Sequence, residues 1–355
     1  MREPSPDHSS RLAAREAGLR YATDAVAGFT RRRRGKGFSY YDRDGKVIRD
    51  PDVVARIRSI VIPPAWTDVW ICPWPNGHLQ ATGRDARGRK QHRYHPEFRA
   101  ARDEAKFGRL VAFASALPRI RKRVDRDLGR PGVPREKVLA AVVSLLELTL
   151  IRVGNDEYSR LNRSFGLTTL RGRHVKVDGT QIRFRFRGKG GAPNEVGLRD
   201  RRLAAVVRRC QDLPGQELFQ YVEDGAVHDV TSDDVNEYLR EVSGGDFAAK
   251  DFRTWAGTVV AYRALAELPE ADDERTAKRN VVEAVKRTAG ALRNTAAVSR
   301  QAYIHPEVLE AYVDGRLEAV DLDDLPSAER AVLDLLRERL VADARRGRTR
   351  SQGRR

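Results

Sequence analysis

Five side chains that lie far apart in this 355-residue chain could together do chemistry on a phosphate ester. They are Arg152, Lys189, Arg253, Asn294 and Tyr303. A phenol is a poor nucleophile at neutral pH because its pKa is about 10. It becomes effective when its target is activated and held in line. Two arginines, a lysine, an amide and a tyrosine are sufficient to break a phosphodiester through a covalent bond to the tyrosine, without a metal ion.

The two arginines are the candidates for binding the phosphate. A phosphodiester under attack gathers negative charge on its non-bridging oxygens, and a flat guanidinium fork matches two such oxygens. Arg152 follows a long apolar stretch, and Arg253 stands in Asp251-Phe252-Arg253-Thr254-Trp255. We expect Asp251 to cap a helix with Arg253 in its first turn, so that free backbone amides also face the phosphate.

The lysine, the amide and the tyrosine require particular local structures. Lys189 is flanked by glycines, and a turn there would let its ammonium group reach the departing 5′ oxygen as a general acid. Asn294 could donate a hydrogen bond to a phosphate oxygen. It precedes Tyr303 by nine residues, which at about 100° per residue places the two on opposite faces of a straight helix. We therefore predict that Asn294 precedes a short helix and that Tyr303 lies near its end, before His305-Pro306.

The composition favours an anionic partner and excludes several other classes. The formal net charge is +17 and the sequence pI about 10.2, which favours nucleic acid binding. The apolar runs are too short to span a membrane. Two cysteines make no disulfide framework, so a cytoplasmic setting is expected. The histidines lack metal-ligand spacing, and no nucleotide-binding loop is present. Taken singly, each arginine is most readily explained as a solvated surface charge.

Local patterns predict an α+β fold, with a small β-rich N-terminal domain and a larger, mainly α-helical catalytic domain. We expect a flexible extension over residues 1–21, a β-rich domain over 22–97, a helical domain over 98–344 and a disordered basic tail over 345–355.

Within the β-rich domain, the pattern indicates a cationic loop at residues 31–37. It also indicates a hairpin around Asp44-Gly45 and strands near 70–72 and 78–82.

In the helical domain, an apolar face over residues 138–150 leads directly to Arg152. A single hairpin over 175–187, with alternating phenylalanines and arginines, precedes Lys189. Further helices are expected at 199–211, 232–242, 252–268, 273–289 and 327–345.

Taken together, these motifs resemble those of the type IB DNA topoisomerases, in the poxvirus-like form found in bacteria. The resemblance runs from about residue 22 to about residue 320. It rests on Ile62-Pro63-Pro64-Ala65-Trp66, the stretch from Gln80 to His95, Ile151-Arg152-Val153-Gly154, Arg187-Gly188-Lys189-Gly190-Gly191, Asp251-Phe252-Arg253-Thr254-Trp255, and Asn294 through Tyr303 to Pro306.

The resemblance implies a C-shaped clamp around duplex DNA. Tyr303 would form a 3′-phosphotyrosyl link, supercoils would relax by rotation of the free strand, and the strand would then be sealed. No ATP, metal or other cofactor would be needed. The resemblance also implies DNA contacts by Gln91, His92, Tyr94 and Tyr158, although relatives commonly carry tyrosine where His92 stands.

Two features of the site and its setting also follow from the resemblance. Poxvirus enzymes carry histidine where Asn294 stands, and asparagine cannot carry charge, so Asn294 should act as a hydrogen-bond donor. The expected partner is double-stranded DNA, bound by a monomer in the cytoplasm at the nucleoid, with no membrane or nucleotide partner.

Two other functions remain open at this point. A tyrosine recombinase uses much the same residues, but it assembles as a tetramer and usually has a helical N-terminal domain. A non-catalytic DNA-binding protein would have the same charge, but it would not need a tyrosine among two arginines and a lysine.

Overall fold

The computed structural model describes residues 6–321 and 323–352; the side chains of residues 6–9, 157, 158, 161 and 343–352 are outside the described part. The chain divides into two compact units, Met1–Phe107 and Gly108–Arg355. The fold is α+β, with a small antiparallel sheet in the first unit and a larger helical second unit.

The first unit is built on a five-stranded antiparallel sheet. The strands are β1 (Phe29–Arg34), β2 (Gly37–Tyr41), β3 (Thr67–Ile71), β4 (Leu79–Arg84) and β5 (Lys90–Tyr94), and the helices are α1 (Pro6–Glu16) and α2 (Pro51–Ser59). The strand order in the sheet is β2-β1-β3-β4-β5. The core of this unit places Ile57 of α2 against Val69, Ile71 and Ala81 of the sheet.

The cationic segment expected to be a loop at 31–37 is instead part of a hairpin, so that prediction was wrong. Residues Arg31 to Arg34 lie in β1 and pair with β2. The guanidinium of Arg31 lies 4.1 Å from the ring centre of Phe38 and donates to the carbonyl oxygens of Ile62, Pro63 and Trp66. Cation–π contact and carbonyl acceptors can stabilise a run of arginines in a strand, which charge alone does not predict.

The segment expected to be a flexible extension contains α1. Ala14 and Leu19 are buried with Phe98 in a small apolar cluster. One buried side chain in α1 and one shortly after its end are thus enough to anchor this otherwise polar segment.

The second unit is mainly helical, and Tyr238, Tyr262 and Phe113 are among its largest fully buried side chains. The point that divides the two units, between Phe107 and Gly108, falls inside the helix that begins at Pro96. The helices are α3 (Pro96–Leu128), α4 (Arg135–Thr149), α5 (Asp156–Asn162), α6 (Arg201–Gln211), α7 (Ser232–Ser243), α8 (Ala249–Ala266), α9 (Glu274–Leu292), α10 (Ala296–Ala302), α11 (Pro306–Val313) and α12 (Leu325–Gln352).

The expectation of one hairpin in this unit was wrong, because the unit contains two antiparallel sheets. Strands β6 (Val175–Asp178), β7 (Gln181–Arg187) and β8 (Pro193–Arg199) form the first, and β9 (Gln220–Glu223) and β10 (Ala226–Asp229) the second. In β7, Ile182, Phe184 and Phe186 are buried while the alternate arginines are exposed, as predicted. Strand β8 has seven residues, as β7 has, but only Val196 is buried. Pro193 and Gly197 are poor strand formers, so the sequence pattern does not mark this strand.

Helix α12 packs on α8 through Glu329, which accepts a hydrogen bond from Trp255 at 3.1 Å and from both terminal nitrogens of Arg121. The helix continues to Gln352 through most of the segment expected to be a disordered tail. Among the described residues, no helix combines the length and apolar character that crossing a bilayer requires.

Candidate active site

Arg152 is positioned by the end of helix α4 and by a loop that folds back on it. The helix ends at Leu150, which adopts a left-handed conformation (φ 55°). The carbonyl of Arg152 accepts the N–H of Leu167 at 2.9 Å. Gly154 has φ 117°, and a Cβ there would lie 2.7 Å from the hydroxyl of Thr168. The loop therefore requires glycine at this position.

Arg253 is buried on helix α8 and joins the ends of two other helices. Its terminal nitrogens donate to the carbonyl oxygens of Leu150 and, at 2.8 Å, of Leu292. Asp251 caps this helix as predicted, but from inside its first turn: the helix begins at Ala249, and the Asp251 carboxylate accepts the N–H of Ala248 at 2.9 Å. Arg253 is thus the fifth residue of α8, one turn beyond the free amides.

The predicted structure around Asn294 and Tyr303 is confirmed. Helix α9 ends at Leu292, and Arg293 adopts a left-handed conformation (φ 51°). Thr295 caps α10 by accepting the N–H of Val298 at 3.3 Å, and Tyr303 ends that helix. Asn294 therefore precedes a short helix that Tyr303 follows, and the two side chains are not confined to opposite faces of one helix.

The backbone of Tyr303 lies against helix α8. A Cβ on Gly257 would be 2.6 Å from the carbonyl oxygen of Tyr303, so only glycine allows this approach. The hydroxyl of Thr258 lies 3.4 Å from the same oxygen and accepts the N–H of His305 at 3.1 Å. Arg253 and the nucleophile candidate are therefore positioned by one helix.

Lys189 lies on the turn that joins β7 to β8, as its glycine neighbours predicted. Gly190 and Gly191 both have φ 79°, and the N–H of Gly188 donates to the carbonyl of Ala192 at 2.8 Å. The Lys189 side chain is exposed. The amide of Asn194 donates to the carbonyl of Ala192 at 3.1 Å, which stabilises the turn from its other side.

Four of the five predicted side chains line one cleft of about 420 Å³: Arg152, Lys189, Arg253 and Tyr303. The Cζ atom of Arg253 is 5.2 Å from the ring centre of Tyr303. Asn294 joins the group through its side-chain oxygen, which accepts a hydrogen bond from Arg152. The structure therefore brings together all five residues that the sequence singled out.

The electrostatics of the cleft favour an anion. Burial alone would raise the pKa of the Tyr303 phenol, but Arg253, Arg152 and Lys189 together hold that pKa below its ordinary value. Burial and the neighbouring Arg152 lower the pKa of Arg253 to about 10. Within the described part of the chain, none of these three cations forms an ion pair with a carboxylate. Their charge is therefore available to a ligand.

Two further cations at the cleft were not singled out from the sequence. Lys250 lines the cleft one helical turn before Arg253, and this spacing on one helix face could have indicated it. Arg293 lies beside Arg152, which with burial lowers its pKa, and it donates to the carbonyl of Thr149 at 3.1 Å. Its position depends on the left-handed end of α9, which the sequence does not reveal.

The residues expected to contact DNA from the first unit lie on the edge strand β5. Gln91 donates to Asp85 at 3.0 Å. His92 and Tyr94 point to the opposite face of the strand, with ring centres 5.9 Å apart and nearly parallel planes. Tyr158 lies in α5, and its side chain is outside the described part of the structure.

A helical unit that gathers two arginines, a lysine and an amide around a tyrosine is typical of enzymes that cleave DNA through that tyrosine. Two family models match the chain. The model for the eukaryotic DNA topoisomerase I catalytic core matches residues 95–321, and the model for the bacterial DNA topoisomerase IB N-terminal domain matches residues 37–85.

Named relatives agree with these matches. DNA topoisomerase 1B of Acanthamoeba polyphaga mimivirus is 33% identical over 295 residues, which cover 81% of this chain and 88% of that protein. DNA topoisomerase 1B of Vaccinia virus (strain Copenhagen) is 22% identical over 291 residues, covering 77% and 89%. The chain belongs to the type IB DNA topoisomerases. It is therefore an isomerase that acts on DNA. The match of the N-terminal domain argues against a recombinase, in which that domain is usually helical.

Proposed function

We propose that Tyr303 is the nucleophile that cleaves one strand of duplex DNA. Its phenolate oxygen attacks a backbone phosphorus, the bond from phosphorus to the 5′ oxygen breaks, and a 3′-phosphotyrosyl link forms. The free strand rotates, and its 5′ hydroxyl then attacks the same phosphorus and displaces the tyrosine. The observation that carries this proposal is the placement of Tyr303 among Arg152, Lys189 and Arg253 in one cleft.

The cations have separate roles in this proposal. Arg152 and Arg253 bind the two non-bridging oxygens and stabilise the charge that gathers there in the transition state. Lys189, on its exposed turn, gives a proton to the departing 5′ oxygen and takes one back during resealing. The arginines remain charged throughout the cycle.

Asn294 has a specific part in holding the phosphate. Its side-chain oxygen accepts a hydrogen bond from Arg152, and its side-chain nitrogen is buried without a partner among the described residues. An unpaired buried donor is unfavourable by about 1–3 kcal/mol. A phosphate oxygen would satisfy it, so Asn294 would both orient Arg152 and donate to the substrate.

The remaining expectations concern the partner and its setting. Gln91, His92, Tyr94 and Tyr158 would contact double-stranded DNA, and the protein would act as a monomer at the nucleoid in a bacterial cytoplasm. Neither ATP nor a metal ion would be consumed or required by the reaction.

The test of this function is relaxation of a negatively supercoiled plasmid by the purified chain in EDTA without ATP. We expect complete relaxation by the wild type and none by Tyr303→Phe. Failure of the wild type to relax the plasmid under these conditions would exclude the proposed metal-independent mechanism.

A further inference from the structure

A second cavity of about 730 Å³ lies in the same unit and shares Phe165 with the catalytic cleft. In the part of the chain that the structure describes, none of the arginines that line it makes an ion pair or donates a side-chain hydrogen bond. Arg121 and Arg135, outside the cavity, each bind two carboxylates. The guanidinium of Arg171 lies 6.0 Å from the ring centre of Phe165, and a cluster of guanidiniums without carboxylate partners is a favourable site for phosphate. The lining arginines are Arg160, Arg163, Arg171, Arg173 and Arg187.

The wall of this cavity also contains acceptors. Glu217 and Asp229 line it, and Arg171 and Glu217 form an isolated antiparallel bridge through their backbones. The Nε of Arg171 and the Oε2 of Glu217 are buried and have no hydrogen-bond partner among the described residues. A ligand that both accepts and donates hydrogen bonds would satisfy both atoms. Inorganic phosphate could accept a hydrogen bond from Arg171, but as an anion it is a poor donor to the Glu217 carboxylate.

Aromatic side chains complete the wall. The rings of Phe165 and His174 both line the cavity, with ring centres 4.5 Å apart. Burial and the adjacent Arg173 and Arg171 lower the pKa of His174, which favours its neutral form. Neutral aromatic faces can stack on a nucleobase.

We infer that this second cavity binds a free nucleotide from solution, in addition to the DNA on which the enzyme acts. Its phosphate would contact Arg171 and the neighbouring arginines, its base would stack on Phe165 or His174, and an amino or hydroxyl group would donate to Glu217. This site is additional to the cleavage centre and does not depend on the role of Tyr303. From the sequence, no nucleotide partner is expected, and a nucleotide bound here would depart from that expectation. It would be bound as a ligand and would not be consumed in the reaction.

The cavity is connected to the cleavage centre through the backbone. The N–H of Phe165 donates to the carbonyl of Arg187 at 2.7 Å, two residues before Lys189. The N–H of Leu167 donates to the carbonyl of Arg152 at 2.9 Å. A ligand stacked on Phe165 would therefore contact the segment that links two of the proposed catalytic groups.

The test is calorimetric titration of the full chain with dAMP, and separately with inorganic phosphate. We expect saturable binding of one dAMP, weaker binding of phosphate, and at least about a tenfold loss of dAMP affinity in Arg171→Gln. Arg183→Gln is the matched control, because Arg183 is exposed on β7 and does not line the cavity. Should Arg171→Gln fail to fold, the exposed Arg173→Gln serves the same comparison.

Two outcomes would overturn the inference. If dAMP does not bind the wild type, the cavity is not a nucleotide site, and a loss of duplex DNA affinity in Arg171→Gln but not in Arg183→Gln would then assign Arg171 to the DNA interface instead. The inference is also overturned if dAMP binds equally well to the wild type and to Arg171→Gln.

Discussion

The hydroxyl of Thr258 on α8 lies 3.4 Å from the carbonyl oxygen of Tyr303 and accepts the N–H of His305 at 3.1 Å. It also donates to the carbonyl of Thr254 at 2.9 Å. Thr258 is completely buried. One side chain thus fixes the backbone on both sides of Ile304, from a position five residues after Arg253 on the same helix.

This contact predicts a positioning role for Thr258. Thr258→Val keeps the shape of the side chain but removes the hydroxyl that accepts the His305 N–H, and a shift of about 1 Å in Tyr303 can reduce a rate about 100-fold. We expect single-turnover cleavage to slow by about 10- to 100-fold, with DNA affinity within about twofold of the wild type. Thr258→Ser, which keeps the hydroxyl, should restore most of the rate. Equal rates for the Val and Ser variants would contradict this role.

Arg253 should contribute to stability as well as to catalysis. Its side chain binds the carbonyls that end α4 and α9, and each buried group left unpaired costs about 1–3 kcal/mol. We expect Arg253→Ala to lower the free energy of unfolding by at least about 2 kcal/mol in urea denaturation and to abolish cleavage. Arg152→Ala, whose side chain is less buried, should abolish cleavage with a change below about 1 kcal/mol. Equal destabilisation by the two substitutions would show that the carbonyl contacts of Arg253 contribute little.

Lys189 should act on the leaving oxygen. We expect Lys189→Ala to slow cleavage of ordinary DNA by about 10²- to 10⁴-fold, because the 5′ oxygen then departs without its proton. A substrate with sulfur at the 5′ bridging position needs no proton to leave, so it should return most of the rate to this variant. The same substrate should not rescue Arg152→Ala. If sulfur gives Lys189→Ala no advantage, Lys189 does not act as the general acid.

The cations around Tyr303 should lower the pH at which its phenol ionises. The lowered pKa means that this phenol loses its proton at a lower pH than free tyrosine, whose pKa is about 10. Subtracting the ultraviolet titration of Tyr303→Phe from that of the wild type isolates this group, and we expect a midpoint below pH 10. The same subtraction with Tyr262→Phe is the control. Burial raises the pKa of Tyr262, so its midpoint should lie above pH 10. A Tyr303 midpoint at or above pH 10 would contradict the electrostatic account of the cleft.

Much of the site could be predicted because its residues occur in local patterns. The nine-residue separation of Asn294 from Tyr303 required a helix to begin between them, and α10 begins at Ala296. Glycine around Lys189 indicated a turn, and the turn has two glycines with positive φ.

The errors arose where long-range contacts decide the structure. Residues Arg31 to Arg34 form a strand because of Phe38 and carbonyl groups some 30 positions away. The convergence of Arg152, Arg253 and Tyr303 was expected from the resemblance of the chain to a known family, since no local pattern brings these distant segments together. Gly257 could not be identified because its need for glycine depends on the carbonyl of Tyr303.

The most direct measurement is covalent capture of the chain on DNA. A duplex whose cleaved strand loses its short 5′-hydroxyl fragment traps the intermediate, and denaturing electrophoresis followed by peptide mapping identifies the linked residue. The account predicts a protein–DNA adduct in EDTA, linked at Tyr303 through a 3′ phosphate, and no adduct from Tyr303→Phe at unchanged DNA affinity. An adduct that persists in Tyr303→Phe, or that maps to another residue, would contradict it.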